Sequence, residues 1–233
     1  MRTICISILV VFYTFFTWPL RIHNRSKAKE EREAANYKLL RRLIKWVTCI
    51  GKMDINVTGM ENINSNNSYL IIGNHKSDID SLLLIWLFEK PIIFIGKEGL
   101  KKVPFISTWF KEIGCLFMDR DDIRQSAKVI LEGVQVLKGG KSLVIFPEGK
   151  RIFEDGLGMF KPGSFKLAMK SDRNVLPIAI DGAYKVFEEH KTIKPGKIKI
   201  NIGKEICWKD MGLKNTNEIC EHTKLTIEQL LNS

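Results

Sequence analysis

The stretch Tyr69-Leu70-Ile71-Ile72-Gly73-Asn74-His75-Lys76-Ser77-Asp78-Ile79-Asp80-Ser81-Leu82-Leu83-Leu84-Ile85-Trp86-Leu87-Phe88 reads as strand, polar turn and helix. Both apolar runs are uninterrupted, as expected of segments buried on all sides. A histidine and two carboxylates are held between them. Burying such a cluster costs free energy unless its members pair with each other or meet a ligand.

The same rhythm continues outward from this unit. Short apolar or alternating runs at 54–58, 92–95, 115–118, 143–146, 175–180 and 197–202 predict strands. Helices are predicted at 81–88, 105–113, 123–138, 165–170 and 215–231. Gly139-Gly140 stops the third of these, and Asn215 with Glu218 has capping-box spacing at the start of the last. Alternation of this kind implies an α/β fold, with a mostly parallel central sheet flanked by helices on both faces.

The residues before this domain differ in character. Residues 3–20 carry no charge and are bracketed by Arg2 and Arg21. As one helix they reach roughly 27 Å, close to the thickness of a bilayer core. No small-residue cleavage site follows, which argues against a removed signal peptide. Of the formal net charge of +11, seven units fall within residues 21–52. That basic density after the apolar run predicts a domain on the cytoplasmic side of a membrane. Residues 37–50 place Leu40, Leu43, Ile44 and Val47 on one helical face and basic residues on another, predicting a helix lying along anionic lipid. Residues 1–51 are therefore read as an N-terminal hydrophobic and amphipathic helical membrane anchor, and 52–233 as the globular domain. A nucleic-acid partner is disfavoured, because the basic residues cluster beside the apolar run and no nucleic-acid module is recognised. The five cysteines are scattered without metal-ligand spacing, so no metal site is expected.

Chemistry in open α/β sheets gathers at the carboxyl ends of strands. Four polar clusters fit that position: Asn74–Asp80, Gly96-Lys97-Glu98, Asp119-Arg120-Asp121-Asp122 and Pro147-Glu148-Gly149-Lys150-Arg151. Histidine suits proton removal near neutral pH, and a carboxylate on its other ring nitrogen fixes the tautomer. His75 and Asp80 are five apart, so a turn leading into a helix could bring them together; the same pair could equally cap that helix and pin the loop. Ser77, Cys115 and Ser164 are possible nucleophiles for a covalent route, but none has the setting of a nucleophile elbow.

Four ordered blocks then narrow the reading: Asn74-His75-x-x-x-x-Asp80, Gly114-Cys115-Leu116-Phe117-Met118-Asp119-Arg120, Phe146-Pro147-Glu148-Gly149-Lys150-Arg151 and Val175-Leu176-Pro177-Ile178-Ala179-Ile180. Together they resemble the glycerolipid acyltransferase family, in particular the 1-acyl-glycerol-3-phosphate acyltransferases. The resemblance implies His75 as general base and Asp80 as its orienting partner. It implies a phosphorylated acceptor, lysophosphatidic acid, with Lys97, Arg120 and Arg151 as candidate phosphate cations. Asn74, Glu148 and Gly149 are taken as further substrate contacts, with Glu148 orienting Arg151 or meeting an acceptor hydroxyl. The resemblance also implies acyl-CoA or acyl carrier protein as donor, no cofactor, and phosphatidic acid for phospholipid biosynthesis as product. A different acceptor, such as glycerol 3-phosphate, another lysophospholipid or a lipid amine, is the nearest alternative. A non-catalytic membrane-binding protein of the same fold is another. Two positions depart from the family pattern: Lys150 stands in place of its usual Thr, and Ile152 in place of its usual Ser.

Overall fold

A computed structural model describes residues 1–233. Three helices come first: α1 (Arg2–Phe16), α2 (Trp18–Asn24) and α3 (Lys29–Gly51). Then follow β1 (Met53–Thr58), β2 (Leu70–Gly73), α4 (Ile79–Leu87), β3 (Ile92–Lys97), α5 (Ile106–Glu112), β4 (Leu116–Met118) and α6 (Ile123–Lys138). The chain closes with β5 (Ser142–Ile145), α7 (Lys166–Ser171), β6 (Val175–Asp181), α8 (Ala183–Val186), β7 (Gly196–Ile202) and α9 (Thr216–Leu231).

The seven strands form one sheet in the order β1-β7-β6-β2-β5-β3-β4. Every neighbouring pair is parallel except β6 and β7. The mostly parallel sheet expected from the sequence is therefore present. The exception has a local cause: only short α8 and a loop separate β6 from β7, whereas a parallel return needs a longer crossover.

Strand periodicity sorts the core into two layers. Ile71, Phe94, Val144, Leu176 and Ile178 face one layer, which also holds side chains of α3, α4 and α5. Leu70, Ile72, Ile93, Leu143 and Ile145 face the other, filled by α6, α7 and α9. Both faces are covered, which is why these strands are apolar throughout.

The N-terminal third differs from expectation in two ways. The apolar run is broken at Thr17 into two helices bent by 45°, and no single helix is long and apolar enough to cross a membrane. Pro19 explains the break, because its ring removes a backbone donor and crowds the preceding turn. The second difference is a correction. Residues 37–50 do not lay their apolar face along lipid: Tyr37, Leu40, Leu43, Ile44 and Val47 are buried in the same layer as Leu83 and Val144. Each such side chain contributes roughly 1.5–3 kcal/mol of burial, so α3 is part of the core. The exposed apolar residues instead follow one face of α1, at Ile4, Ile8, Val11, Phe12 and Phe15, and continue on α2 at Trp18, Leu20 and Ile22.

Candidate active site

The turn after β2 folds around one carboxylate. Asp80 lies in the first turn of α4, and its Oδ2 accepts from the backbone N–H of Lys76 (2.8 Å) and of Ser77 (2.8 Å). The same oxygen meets His75 Nδ1 at 2.9 Å. The helix start adds a favourable dipole for the negative charge. Burial pushes the Asp80 carboxyl up, and the His75, Ser77 and Lys76 donors work against it. An ionised Asp80 accepts a hydrogen bond from Nδ1–H, leaving Nε2 with the lone pair. The pair thus touches, and the loop curls back far enough to overcome the five-residue spacing.

The His75 ring is held on its flat side as well. Phe146, just past β5, stacks on it with centroids 4.2 Å apart and an interplanar angle of 10°. The backbone is clamped at both polar atoms: His75 N–H donates to Glu148 Oε1 (3.1 Å), and His75 C=O accepts from Ile152 N–H (2.9 Å). The block after β5 therefore positions the block after β2. Side-chain exposure of His75 is 17%, so the ring edge stays reachable.

Glu148 corrects an expectation. It does not orient Arg151; it holds the His75 backbone, and its Oε2 is buried without a partner. Burial is the main reason its carboxyl is pushed up to about 6. Gly149 has a turn role, with a left-handed φ of 75° that a side chain rarely adopts. A Cβ there would also lie 3.2 Å from Lys161 Nζ, a cation that sequence reading did not single out. Asn74 is likewise committed elsewhere. Its amide donates to Ile180 C=O and accepts from Ile180 N–H, both at 2.8 Å, pegging the turn to β6.

The three candidate cations separate by strand. Arg151 reaches the turn itself: its Nη1 meets Asp78 Oδ2 at 2.5 Å and Glu188 Oε1 at 2.9 Å. Its Nε and Nη2 take no partner, leaving donors for a second anion. Lys97 ends β3 and Arg120 follows β4, so they lie two and three strands from β2 on the same carboxyl edge. At the usual strand spacing that is roughly 10 and 15 Å. Neither forms an ion pair, and the Asp119, Asp121 and Asp122 carboxylates leave Arg120 free.

Glu188 is the site residue that sequence reading missed. It sits just beyond α8, its side chain only 1% exposed, and it accepts from Arg151, from Lys191 Nζ and from the Asp78 N–H. Burial opposes its ionisation, yet the Asp78 N–H, Lys191 and Arg151 outweigh it and hold the carboxyl below its usual range. No motif surrounds it, so only the fold brings it to the turn.

The candidate nucleophiles are placed elsewhere or engaged. Ser77 Oγ accepts from Ile79 N–H at the start of α4. Cys115 is buried, and that burial pushes its thiol up to about 12, far from a reactive thiolate.

A family model described as Acyltransferase matches residues 54–181, more than half of the chain. The chain belongs to that family. The matched segment begins in β1 and ends with β6, and so contains the whole dyad, its clamp and the three cations. A relative in Borreliella burgdorferi named 1-acyl-sn-glycerol-3-phosphate acyltransferase is 32% identical over 145 residues, covering 62% of this chain and 58% of that protein. One of the same name in Saccharomyces cerevisiae is 28% identical over 177 residues, covering 74% and 58%. The chain thus spans under two thirds of the length of these relatives. Among solved structures, the 1-acyl-sn-glycerophosphate (LPA) acyltransferase PlsC from Thermotoga maritima shares the fold, with a TM-score of 0.79 and 23% identity over 100% of this chain and 97% of that one.

Proposed function

We propose that this family member is a 1-acylglycerol-3-phosphate O-acyltransferase, transferring an acyl chain from acyl-CoA or acyl carrier protein to the free hydroxyl of lysophosphatidic acid. The contact that carries this reading is His75 Nδ1 to Asp80 Oδ2 at 2.9 Å, which leaves Nε2 as a base at the carboxyl edge of the sheet. Nε2 takes the acceptor hydroxyl proton as that oxygen attacks the thioester carbonyl. The tetrahedral adduct collapses, the C–S bond breaks, and the departing thiolate takes the proton back from His75. Asp80 holds the ring and stabilises the imidazolium formed midway. Arg151 offers Nε and Nη2 to two phosphate oxygens, with Lys97 and Arg120 further along the same edge as additional positive charge. Direct attack requires no covalent enzyme intermediate.

The exposed apolar face of α1 and α2 supports association with a bilayer, where the acceptor resides. In this reading α1 lies in the interface on the cytoplasmic side.

The test is acyl transfer by purified protein to lysophosphatidic acid, with both donor types, beside glycerol 3-phosphate, lysophosphatidylcholine and a lipid amine. Turnover with lysophosphatidic acid, lost in His75→Ala, is the expected result. Transfer only to an acceptor lacking the phosphomonoester would overturn the acceptor assignment, and undiminished turnover in His75→Ala would overturn the base.

A further inference from the structure

A polar cavity of about 290 Å³ lies between α2, α3 and α5, lined by Arg21, Arg25, Arg32, Asn36, Lys111 and Glu112. Four cations face one carboxylate, and no apolar side chain lines it. We propose that this cavity binds the phosphate of an anionic membrane phospholipid, at a place separate from the reacting acceptor.

The separation follows from topology. α5 runs from the carboxyl end of β3 back to the start of β4, so Lys111 and Glu112 lie at the sheet edge opposite His75. The six residues of β3 put the two edges roughly 20 Å apart. The acceptor phosphate on Arg151 therefore cannot fill both places.

The cavity is built before any ligand arrives. Arg21 is 4% exposed and fixed on several sides. Its Nη2 donates to Thr14 C=O at 2.6 Å, its Nη1 meets Glu112 at 2.9 Å, and its guanidinium lies over the Trp109 ring at 4.8 Å. Trp109 Nε1 in turn donates to Thr14 Oγ1 at 2.9 Å, closing the link between the bend and α5. The Arg21 Nε remains buried without a partner. A buried charged donor left unpaired carries a desolvation cost, which an added acceptor relieves. α3 supplies a second favourable field: it begins at Lys29 with no side-chain cap, and Arg32 and Asn36 stand on its first two turns. The Glu30 and Glu31 carboxylates of that first turn are exposed and do not line the cavity.

The neighbouring surface indicates a lipid rather than a soluble anion. Trp18, Leu20 and Ile22 are exposed on α2 beside Arg21 and Arg25, continuing the apolar face of α1. A headgroup phosphate in the cavity leaves its acyl chains next to that face. The helix pair would then be held flat on the interface by one polar contact at its far end, with the catalytic edge at the other.

The test uses the full chain and vesicles of phosphatidylcholine, with or without admixed phosphatidylglycerol. Wild type binds the phosphatidylglycerol vesicles more tightly. Arg25→Gln/Arg32→Gln/Lys111→Gln loses about 100-fold of that affinity, and Arg25→Gln alone about fivefold. A control with Lys38→Gln/Arg42→Gln/Lys45→Gln, neutralising exposed cations of α3 outside the cavity, loses less. Equal loss in both triple variants would mean diffuse surface charge and would overturn the proposal. So would capture of inorganic phosphate that displaces the vesicles, which would assign the cavity to a soluble anion. His75→Ala binds as wild type does, so failure of the catalytic reading leaves this measurement intact. Thermal unfolding of each variant verifies that binding is compared between folded proteins, and Arg25→Gln alone carries the test if the triple variant unfolds early.

Discussion

The base end and the cation end of the site share one turn, yet they are built in opposite ways. Asp80 is 1% exposed, and a single oxygen of it serves three donors. Asp78, two residues earlier, is 61% exposed and meets Arg151 alone through its side chain. His75 is stacked, clamped at its N–H and C=O, and anchored at Nδ1, with one free nitrogen. Arg151 is anchored at Nη1 and keeps its other donors open. The difference suits the two tasks proposed for them. A general base must keep its tautomer and aim through the reaction, which calls for burial and saturated bonding. A phosphate ligand must admit and release a charged group, which calls for a cation held from behind and open in front. Glu188 is that backing for Arg151, as Asp80 is for His75.

The largest expected effect lies at the base end. His75→Ala should lower kcat by about 10²–10⁴ with little change in the unfolding midpoint. Asp80→Ala should lose a similar factor and also destabilise the fold by about 3 kcal/mol, because the Lys76 N–H and the buried Ser77 N–H lose their acceptor. Denaturant titration beside steady-state kinetics separates the two variants. Equal stability would mean that Asp80 serves the ring and not the turn.

At the cation end the effect should move to KM. Arg151→Gln is expected to raise KM for the phosphorylated acceptor by roughly 10–100-fold while kcat changes little. A fall in kcat of that size with KM intact would break the division of labour between the two ends.

Glu148 braces the base end and gives a pH test. Its folded value of about 6 lies above the ordinary 4.5, so the stability associated with its protonated form is fully present below about 4.5 and is lost as pH rises through 6. Glu148→Gln keeps the oxygen that accepts from His75 but cannot ionise. Its stability relative to wild type should rise by up to about 2 kcal/mol between about pH 4.5 and 7. A pH-independent difference would show that ionised Glu148 is better solvated than its burial implies.

A smaller effect is expected at Glu188. Glu188→Gln should raise acceptor KM about fivefold, since a neutral amide holds Arg151 less firmly. The wild-type carboxyl sits below its usual range, so its contribution is present above the unfolded value and lost as pH falls through the folded one. Glu188→Asp should recover part of the KM loss, which a purely structural defect would not. The smallest change is expected at Lys150, whose side chain is exposed. Lys150→Thr, restoring the residue usual in the family, should alter kcat/KM by less than about twofold.

Much of this was legible from pattern. Uninterrupted runs such as Leu70–Ile72 and Leu143–Ile145 announced strands covered on both faces, because each face of a β-strand is read separately along the chain. The dyad and Arg151 were legible because they fall in ordered blocks directly after strands. The roles of Asn74, Gly149 and Glu148 were not. Each is decided by a partner far off in sequence or by a backbone angle: Ile180 for Asn74, the left-handed turn for Gly149, the His75 N–H for Glu148. The apolar face of Leu40, Leu43, Ile44 and Val47 marked a helix with one buried side, but periodicity does not say whether lipid or protein covers it.

The sequence alone therefore determined the α/β class and the strand-end clusters, and marked His75 as the candidate base, since all three rest on residue type and local spacing. The tertiary structure alone decided the strand order that brings β5 beside β2 and so lays Phe146 on His75 and Glu148 under it. It also decided the arrival of Glu188 behind Arg151 and the burial of Arg21 against Trp109. Those contacts join residues separated by dozens of positions, and their energies depend on burial and distance, which no local pattern encodes.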